Sequence, residues 1–194
     1  MKGEERWCAP PGPYDGCAVL PLLLLLLGCR RDELAEASWD EFELDKRQWV
    51  LPRQRSKNDK EHITWLSEAA LSILRSLPTF ESEAGYLFTT NGRTPVSGFG
   101  RARERLAAAM PWGPPFTLHD LRRSFASGCA ELGVSEHIVD RCLNHSGRKV
   151  SGVARIYNRS EYLLDRQAAL NLWSKHVIDV VRPKEVGVPT PRDE

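Results

Sequence analysis

Three features that would assign a protein to a class at once are missing from this sequence. No hydrophobic run reaches the roughly 20 residues that a membrane-spanning helix needs. The 5 cysteines include no Cys-x-x-Cys pair, which argues against a zinc ribbon or a disulfide framework and favours a reducing compartment. The net charge is only +1, so any basic surface for nucleic acid has to be local. What the sequence does have is 41% hydrophobic residues in 194, enough for one domain with a packed core.

The most apolar stretch lies near the start of the chain. Residues 17–29 read CAVLPLLLLLLGC, which is too short to span a bilayer but resembles the core of a secretory signal with a lipoprotein cleavage box. The residues before it include Glu4, Glu5 and Asp15, whereas a secretory signal begins with positive charge. We therefore expect a buried helix, with a secreted lipoprotein cleaved before Cys29 as the alternative.

The rest of the chain predicts a mainly α fold with a small antiparallel β-sheet (α+β). Strand-forming residues recur in three short stretches separated by turn-forming residues, namely residues 39–44, 48–52 and 62–66. Apolar residues at helical spacing occupy the segments 67–77, 97–110, 117–132, 135–143 and 153–176. We expect a loop or disordered terminus at 1–16, one domain over 17–180 and a flexible tail at 181–194.

Two histidines and a group of arginines mark the second half of the sequence. His119 and Arg122 lie three residues apart, on one face of a predicted helix. The string LNHSG places His145 at a helix end, and Tyr157 follows within ARIYNR. Residues 119–160 carry seven basic and four acidic side chains, which is a local basic patch in a nearly neutral chain. Taken alone, these residues are also consistent with an ordinary solvated face.

Taken together, the strings resemble the catalytic domain of the tyrosine recombinases, the phage integrase family. TLHDLRRSFASG, LNHSG and GVARIYNR follow one another in that family's order. Upstream, LLLGCRRDEL resembles the family's first-arginine motif, with Gly28, Arg30 and Glu33 in its glycine, arginine and acidic positions. WVLPRQRSKNDKEHITWLS resembles the hairpin that carries the family's lysine, here Lys57. The motifs cover residues 20–177 and are closest to integrases of bacterial prophages and genomic islands.

The resemblance implies a site-specific DNA recombinase, or integrase, that needs no metal, ATP or other cofactor. In the family a tyrosine attacks a DNA phosphate and forms a 3′-phosphotyrosine, which allows strands to be rejoined during integration or excision of a mobile element. The catalytic positions implied for this chain are Arg30, Lys57, His119, Arg122, His145 and the nucleophile Tyr157. Glu33 is implied to orient Arg30 or a neighbouring element rather than to react. The implied DNA-binding positions are Arg123, Arg148, Lys149, Arg155 and Arg159.

The residue types suit these implied roles. The planar guanidinium fork of Arg30 or Arg122 matches the oxygens of a phosphate. The resemblance implies that Lys57 protonates the leaving oxygen and that His119 assists deprotonation of the tyrosine. It implies that His145 forms a hydrogen bond to the phosphate.

Two of the assignments have rivals in the sequence. Lys60 competes with Lys57 for the position of the hairpin lysine. Tyr162 competes with Tyr157 for the nucleophile, although the flanking residues Asn-Arg favour Tyr157. The remaining histidines are expected on the surface or behind the site; they are His62, His137 and His176.

The resemblance also implies partners. Family members carry an N-terminal DNA-binding domain that residues 1–16 cannot supply, so we expect a fragment, a truncated gene or an isolated catalytic module. The implied partner is double-stranded DNA, with the chain a monomer when free and a tetramer on synapsed DNA, in the cytoplasm at the nucleoid. A docking face for a neighbouring copy is expected on the last helix, the alternative being packing on its own domain; its residues are Leu163, Leu164, Ala168, Leu172 and Trp173.

Two functional alternatives stay open at this point. One is a truncated integrase remnant that binds DNA without productive recombination. The other is an enzyme that relaxes supercoiled DNA like a type IB topoisomerase, with the same site residues but without strand exchange.

Overall fold

The computed structural model describes residues 16–79, 84–89, 91–97, 99–145 and 162–181. Within these residues the helices are α1 (Gly16–Leu27), α2 (Arg31–Ala35), α3 (Glu68–Arg75), α4 (Phe99–Ala109), α5 (Leu118–Glu131), α6 (Glu136–Cys142) and α7 (Leu163–Val181). The strands are β1 (Phe42–Glu43), β2 (Gln48–Leu51) and β3 (His62–Trp65), which form one antiparallel sheet in sequence order. The predicted fold class, mainly α with a small antiparallel sheet, is confirmed.

The apolar segment near the start of the chain forms α1 and lies in the core. Leu23, Leu24, Leu26 and Leu27 each expose 1% or less of their surface, so the expected buried helix is confirmed. The helix packs against α3, α5 and α7. Burial of each leucine side chain contributes about 1.5–3 kcal/mol. In the described part of the chain, no helix combines the length and apolar character needed to cross a membrane.

Gly28 ends α1 in a conformation that side-chain-bearing residues avoid. Its φ is +62°, in the left-handed region, and its N–H donates to the Leu24 carbonyl at 3.0 Å, as at many helix ends. A Cβ here would lie 2.6 Å from ring atoms of Phe125 on α5. This close approach brings the end of α1, and Arg30 two residues later, against α5.

The β2–β3 hairpin forms where the sequence predicts it. The strands pair from Gln48 opposite Trp65 to Leu51 opposite His62. The connection between them, residues 52–61, contains Lys57 and lies beside α2 and the end of α6.

The first strand is shorter than the sequence predicts. Residues 39–41 and 44–46 form 3-10 turns, so the prediction of a strand over 39–44 is wrong except at residues 42–43. The first turn places Glu41 in the interior, where its carboxylate accepts a hydrogen bond from Trp49 Nε1 at 2.9 Å and pairs with Arg55 Nε at 2.9 Å. These two interactions compensate the free-energy cost of burying the carboxylate. In an extended strand the Glu41 side chain would point in a different direction.

The start of α5 is fixed by its first turn. The Asp120 carboxylate accepts hydrogen bonds from the backbone N–H and the hydroxyl of Thr117, each at 2.7 Å. A negative charge is also favourable at a helix N-terminus. This cap orients the turn that carries His119 and Arg122.

The last helix, α7, packs on the domain through Trp173. The indole lies edge-on to Phe125 with the ring centroids 5.9 Å apart, and its Nε1 donates to the Leu25 carbonyl at 2.8 Å. Trp173 exposes only 6% of its surface, so its predicted place in an exposed docking face is wrong and the alternative, packing on its own domain, holds for this residue. The other residues predicted for that face are exposed; they are Leu163, Leu164, Ala168 and Leu172.

Candidate active site

An open cavity of about 610 Å³ lies between the end of α1, the β2–β3 connection, α4 and the start of α5. Four of the residues predicted for the site line it, from three separate parts of the chain. They are Arg30, Lys57, His119 and Arg122. The structure therefore brings together residues that are up to 92 positions apart in the sequence.

The cavity is strongly basic wherever the structure describes its lining. Five lining residues are Arg or Lys, and a single one, Asp32, is acidic. The Asp32 carboxylate already accepts hydrogen bonds from the Arg31 guanidinium at 2.7 and 3.0 Å. The excess positive charge suits an anionic ligand such as a phosphate.

Arg122 is held by backbone carbonyls at the floor of this cavity. Its guanidinium donates to the Gly28 carbonyl at 2.8 Å and to the Leu143 carbonyl at 2.5 Å, and the residue exposes only 5% of its surface. Burial and the nearby Arg30 cation lower the pKa of Arg122, although a guanidinium stays charged at any physiological pH. The two carbonyls fix the orientation of the planar group before any ligand arrives.

Arg30 lies beside Arg122 and is oriented by an acidic partner. Its Nη1 pairs with Glu33 Oε1 at 2.8 Å, and its backbone N–H donates to Glu33 Oε2 at 3.2 Å. Its Nη2 reaches the Asn144 carbonyl at 3.3 Å. Glu33 is itself buried and also caps α2, so one carboxylate both starts the helix and orients the arginine.

Lys57 and His119 form the more exposed side of the cavity. Lys57 lies on the β2–β3 connection, and His119 lies on the first turn of α5. Both side chains are exposed to solvent. The rival residue Lys60 is also exposed but is not among the residues that line the cavity.

His145 is not among the residues that line the cavity. It lies just after α6, where its Nδ1 is 2.9 Å from the Asp140 carboxylate and its backbone N–H donates to the Asp140 carbonyl at 3.0 Å. Arg123 points away from the core and pairs with Asp120 at 2.8 Å.

The remaining predicted residues lie outside the described part of the chain. They are Tyr157, Arg148, Lys149, Arg155 and Arg159. The rival tyrosine, Tyr162, is half-buried, with its ring edge-on to His137 at a centroid distance of 5.3 Å.

The structure adds Asn144 to the site, a residue that sequence reasoning missed. Its carbonyl accepts hydrogen bonds from Arg30 and from Asn58, and its side chain contacts Ser56 and Asn58. The available signal was an asparagine directly after a helix, since asparagine tolerates the left-handed conformation that often ends helices. The observed φ of Asn144 is +49°.

A second missed feature is a buried polar cluster behind Arg122. Arg166 on α7, 3% exposed, donates to the Ile63 carbonyl and, at 3.3 Å, to His62 Nε2. Because an arginine can only donate, His62 accepts here and is neutral. Burial, followed by the charge of Arg166, lowers the pKa of His62 to about 3. His62 had been expected on the surface or behind the site, and it lies behind it.

With this geometry established, comparison with known proteins identifies relatives. The prophage integrase IntA of Escherichia coli K12 is 26% identical over 163 residues, which cover 84% of this chain and 38% of that protein. The integrase of enterobacteria phage P4 is 29% identical over 182 residues, covering 86% of this chain and 41% of that protein. The chain thus spans less than half the length of these curated relatives.

Solved structures share the fold. The integrase from mycobacterium phage Brujita superposes with a TM-score of 0.60 at 19% identity, over 81% of this chain and 51% of that one. The Tn1549 transposon integrase, solved in complex with circular intermediate DNA, gives a TM-score of 0.50 at 17% identity, over 68% of this chain and 50% of that one.

The family model described as the phage integrase family matches residues 14–163. This range includes α1 through α6 and every catalytic position that the resemblance implies, from Arg30 to Tyr157. The chain belongs to the phage integrase family and has the fold of a tyrosine-recombinase catalytic domain.

Proposed function

We propose that this chain is the catalytic domain of an integrase that cleaves and rejoins DNA strands at a specific site, for integration or excision of a mobile element. The observation that carries the proposal is the basic cavity in which Arg30, Arg122, Lys57 and His119 meet. Two adjacent guanidinium groups and a lysine, with one carboxylate orienting the first arginine, form a site for a phosphodiester rather than for a neutral substrate.

The proposed reaction is a transesterification at phosphorus. The phenolic oxygen of Tyr157 forms a bond to the scissile phosphorus, and the bond from phosphorus to the 5′-oxygen breaks. The tyrosine proton leaves with assistance from His119, while the departing 5′-oxygen takes a proton from Lys57. The product is a 3′-phosphotyrosine and a free 5′-hydroxyl. Because the phosphodiester is kept as a covalent intermediate, the reverse step can rejoin a strand without ATP.

The arginines stabilise the negative charge that develops in this reaction. Negative charge on the non-bridging oxygens grows as the fifth bond to phosphorus forms, and fixed cations stabilise that charge without reorganising. Arg122 suits this role because two carbonyls hold its guanidinium before DNA arrives. His145, one residue after Asn144, is proposed to contact the same phosphate once DNA is bound.

The rest of the assembly follows from the same proposal. We assign the catalytic domain to residues 17–180, with 1–16 and 181–194 outside it, and double-stranded DNA as the partner. The proposed DNA contacts outside the cavity are Arg123, Arg148, Lys149, Arg155 and Arg159. Strand exchange needs four sites, so we propose a tetramer on synapsed DNA and a monomer otherwise, acting in the cytoplasm at the nucleoid.

A nicked suicide duplex tests the chemistry directly. Cleavage releases a short strand, so the covalent protein–DNA adduct accumulates and is resolved on a denaturing gel, and peptide mapping locates the modified residue. We expect the adduct on Tyr157, its loss in Tyr157→Phe and its retention in the matched control Tyr162→Phe. Relaxation of a supercoiled plasmid without metal or ATP, run in parallel, does not depend on a known target sequence.

The outcomes separate the alternatives. An adduct together with strand exchange between two duplexes supports the integrase. Relaxation without exchange, by a strictly monomeric protein, favours the topoisomerase-like activity. DNA binding by a folded protein with neither adduct nor relaxation identifies a remnant and contradicts the proposal.

A further inference from the structure

The C-terminal turn of α6 contacts three parts of the site, namely Arg30, Arg122 and the β2–β3 connection. Three consecutive residues, Cys142, Leu143 and Asn144, offer carbonyl oxygens that the helix itself leaves without partners. The Cys142 carbonyl accepts from the His62 imidazole, and the Leu143 carbonyl accepts from Arg122. The Asn144 carbonyl accepts from Arg30 at 3.3 Å and from Asn58 Nδ2 at 2.5 Å.

The side chain of Asn144 makes a second set of contacts, and these go to the β2–β3 connection. Its Nδ2 donates to Ser56 Oγ at 3.2 Å, and its Oδ1 accepts from Asn58 Nδ2 at 3.2 Å. Ser56 and Asn58 are the immediate neighbours of Lys57 in the chain. The amide of Asn144 therefore contacts residues 56–58, here called the lysine turn, on both sides of Lys57.

The residue type fits this task in two ways. The φ of +49° at Asn144 is costly for most residues but accessible to glycine and asparagine. Glycine would satisfy the backbone, but it has no amide to reach the turn. Asparagine supplies the donor for Ser56 and the acceptor for Asn58 while it keeps the backbone conformation.

The contacts near Lys57 differ from those farther along the same connection. Arg53 pairs with Asp59 on the surface, which braces the connection internally without tying it to the site. Arg55 donates to the Glu33 carbonyl and so ties the connection to α2. The contacts with Asn144 join the neighbours of Lys57 to the segment whose carbonyls hold Arg30 and Arg122.

We propose that Asn144 is a positioning residue that sets the lysine turn against the two arginines, so that Lys57 reaches the leaving 5′-oxygen of the phosphate they hold. This inference rests on the proposed function, because Asn144 acts only by placing Lys57, the residue proposed to donate the proton. Asn144 itself contacts Arg30 and the two neighbours of Lys57, Ser56 and Asn58, and its effect on the reaction is indirect.

The proposal predicts a defect that depends on the leaving group. A sulfur at the 5′-bridging position leaves as a thiolate, whose conjugate acid has a pKa of about 8.5, so it departs without a proton donor. An alkoxide needs that proton. A variant that only misplaces Lys57 is therefore slow on the oxygen substrate and normal on the sulfur substrate, whereas a generally damaged site is slow on both.

The test uses Asn144→Gly, which keeps the backbone conformation and both carbonyl contacts and removes the amide. A pool of nicked duplexes with a randomised centre, captured covalently on the wild-type chain, first supplies a cleaved sequence. Two duplexes of that sequence are then made, with either oxygen or sulfur at the bridging position. We expect Asn144→Gly to cleave the oxygen duplex about 10- to 100-fold more slowly than wild type and the sulfur duplex within about threefold.

Three variants calibrate this result. Lys57→Ala is expected to show the same pattern with a larger defect, and Arg122→Lys is expected to be slow on both duplexes. Asn171→Ala, on α7 away from the cavity, is expected to match wild type on both. Ser56→Ala removes one contact of the amide, and combining it with Asn144→Gly should add nothing further, because the amide that Ser56 contacts is already gone.

Equal slowing of Asn144→Gly on both duplexes, or wild-type rates on the oxygen duplex, overturns the proposal. If the wild-type chain captures no sequence from the pool, the proposed function fails. The contacts of Asn144 with residues 56–58 are then tested without DNA. Amide hydrogen exchange across residues 56–60 should be faster in Asn144→Gly than in wild type while exchange in α5 is unchanged. Unchanged exchange at 56–60 contradicts the proposal whatever the activity.

Discussion

Arg122 and Lys57 reach the same cavity from opposite kinds of surroundings. Arg122 is 5% exposed, and two backbone carbonyls fix its guanidinium. Lys57 is exposed, on a connection between two strands, and the contacts near it are made by its neighbours Ser56 and Asn58. The difference matches the two tasks. A phosphate clamp works best when it is rigid beforehand, whereas a proton donor has to reach an oxygen that moves as the bond breaks.

The largest effect on activity is expected from a change at Arg122, the fixed arginine. Arg122→Lys keeps the charge but replaces the planar guanidinium, whose two Nη atoms reach the two carbonyls, with donors on a single nitrogen. We expect the rate of covalent adduct formation to fall about 10²- to 10³-fold. Adduct formation on a suicide duplex measures the rate, and urea denaturation shows whether the chain is still folded. A rate within threefold of wild type contradicts a fixed arginine clamp.

The next largest effect is expected at Gly28, whose carbonyl holds Arg122, and it concerns stability. Gly28→Ala forces a side chain into a left-handed conformation and into the ring of Phe125, where the Cβ would lie 2.6 Å from ring atoms. We expect the free energy of unfolding to fall by about 2–4 kcal/mol, measured by urea denaturation.

Gly133→Ala is the matched control for this substitution. Gly133 has a φ of +84°, and a Cβ there would meet nothing within 4 Å. It should therefore show the conformational cost alone, about 1–2 kcal/mol. Equal losses in the two variants are inconsistent with a close contact at Gly28.

Acidification tests the polar cluster behind Arg122. The fold lowers the pKa of His62 to about 3, below its ordinary value near 6.5, so the unfolded chain binds a proton more readily than the native one. This contribution to stability is complete above about pH 6.5 and is lost as the pH falls toward 3. We expect wild type to lose about 2 kcal/mol of unfolding free energy between pH 7 and pH 5 through this residue.

The measurement compares urea denaturation of wild type and His62→Gln at the two pH values. The variant should have a smaller loss on acidification, even though it is less stable at pH 7. His137→Gln, a substitution of an exposed histidine, should keep the wild-type loss. An identical pH dependence in wild type and His62→Gln contradicts a His62 that the fold keeps neutral.

The smallest effect is expected at the neighbour of Arg122 in sequence. Arg123 points outward and pairs with Asp120, so a DNA contact there is a surface contact. Arg123→Ala should weaken DNA binding about two- to threefold at moderate salt, with the slope of log affinity against log salt reduced by about 1. A loss as large as that of Arg122→Lys would show that burial does not distinguish the two arginines.

The sequence predicts the frame of the site well, because that frame depends on local patterns. The glycine, arginine and acidic spacing at Gly28, Arg30 and Glu33, the helix that carries His119 and Arg122, and the hairpin around Lys57 each depend on a few adjacent residues. The structure brings the four cavity residues together from these segments, while the roles assigned to them remain predictions. The class of fold was predictable for the same reason, from apolar spacing and strand composition.

The parts that were missed depend on contacts between distant segments. Asn144 reads as one polar residue in LNHSG, and its effect arises only when the turn at 56–58 lies beside it. Arg166 lies in a helix with charged neighbours, so nothing local shows that it is 3% exposed. The first strand was predicted too long because Glu41 turns inward to Trp49 and Arg55, partners that composition does not reveal.

The three carbonyls at the end of α6 also constrain how the protein can vary in length. Successive residues of a helix project about 100° apart around its axis, so the carbonyls of Cys142, Leu143 and Asn144 cannot exchange partners by a small shift. Loss or gain of one residue within α6 would rotate all three away from His62, Arg122 and Arg30 together. The short helix therefore acts as a fixed-length spacer, and related chains should tolerate insertions before Ser135 or after His145 far better than between them.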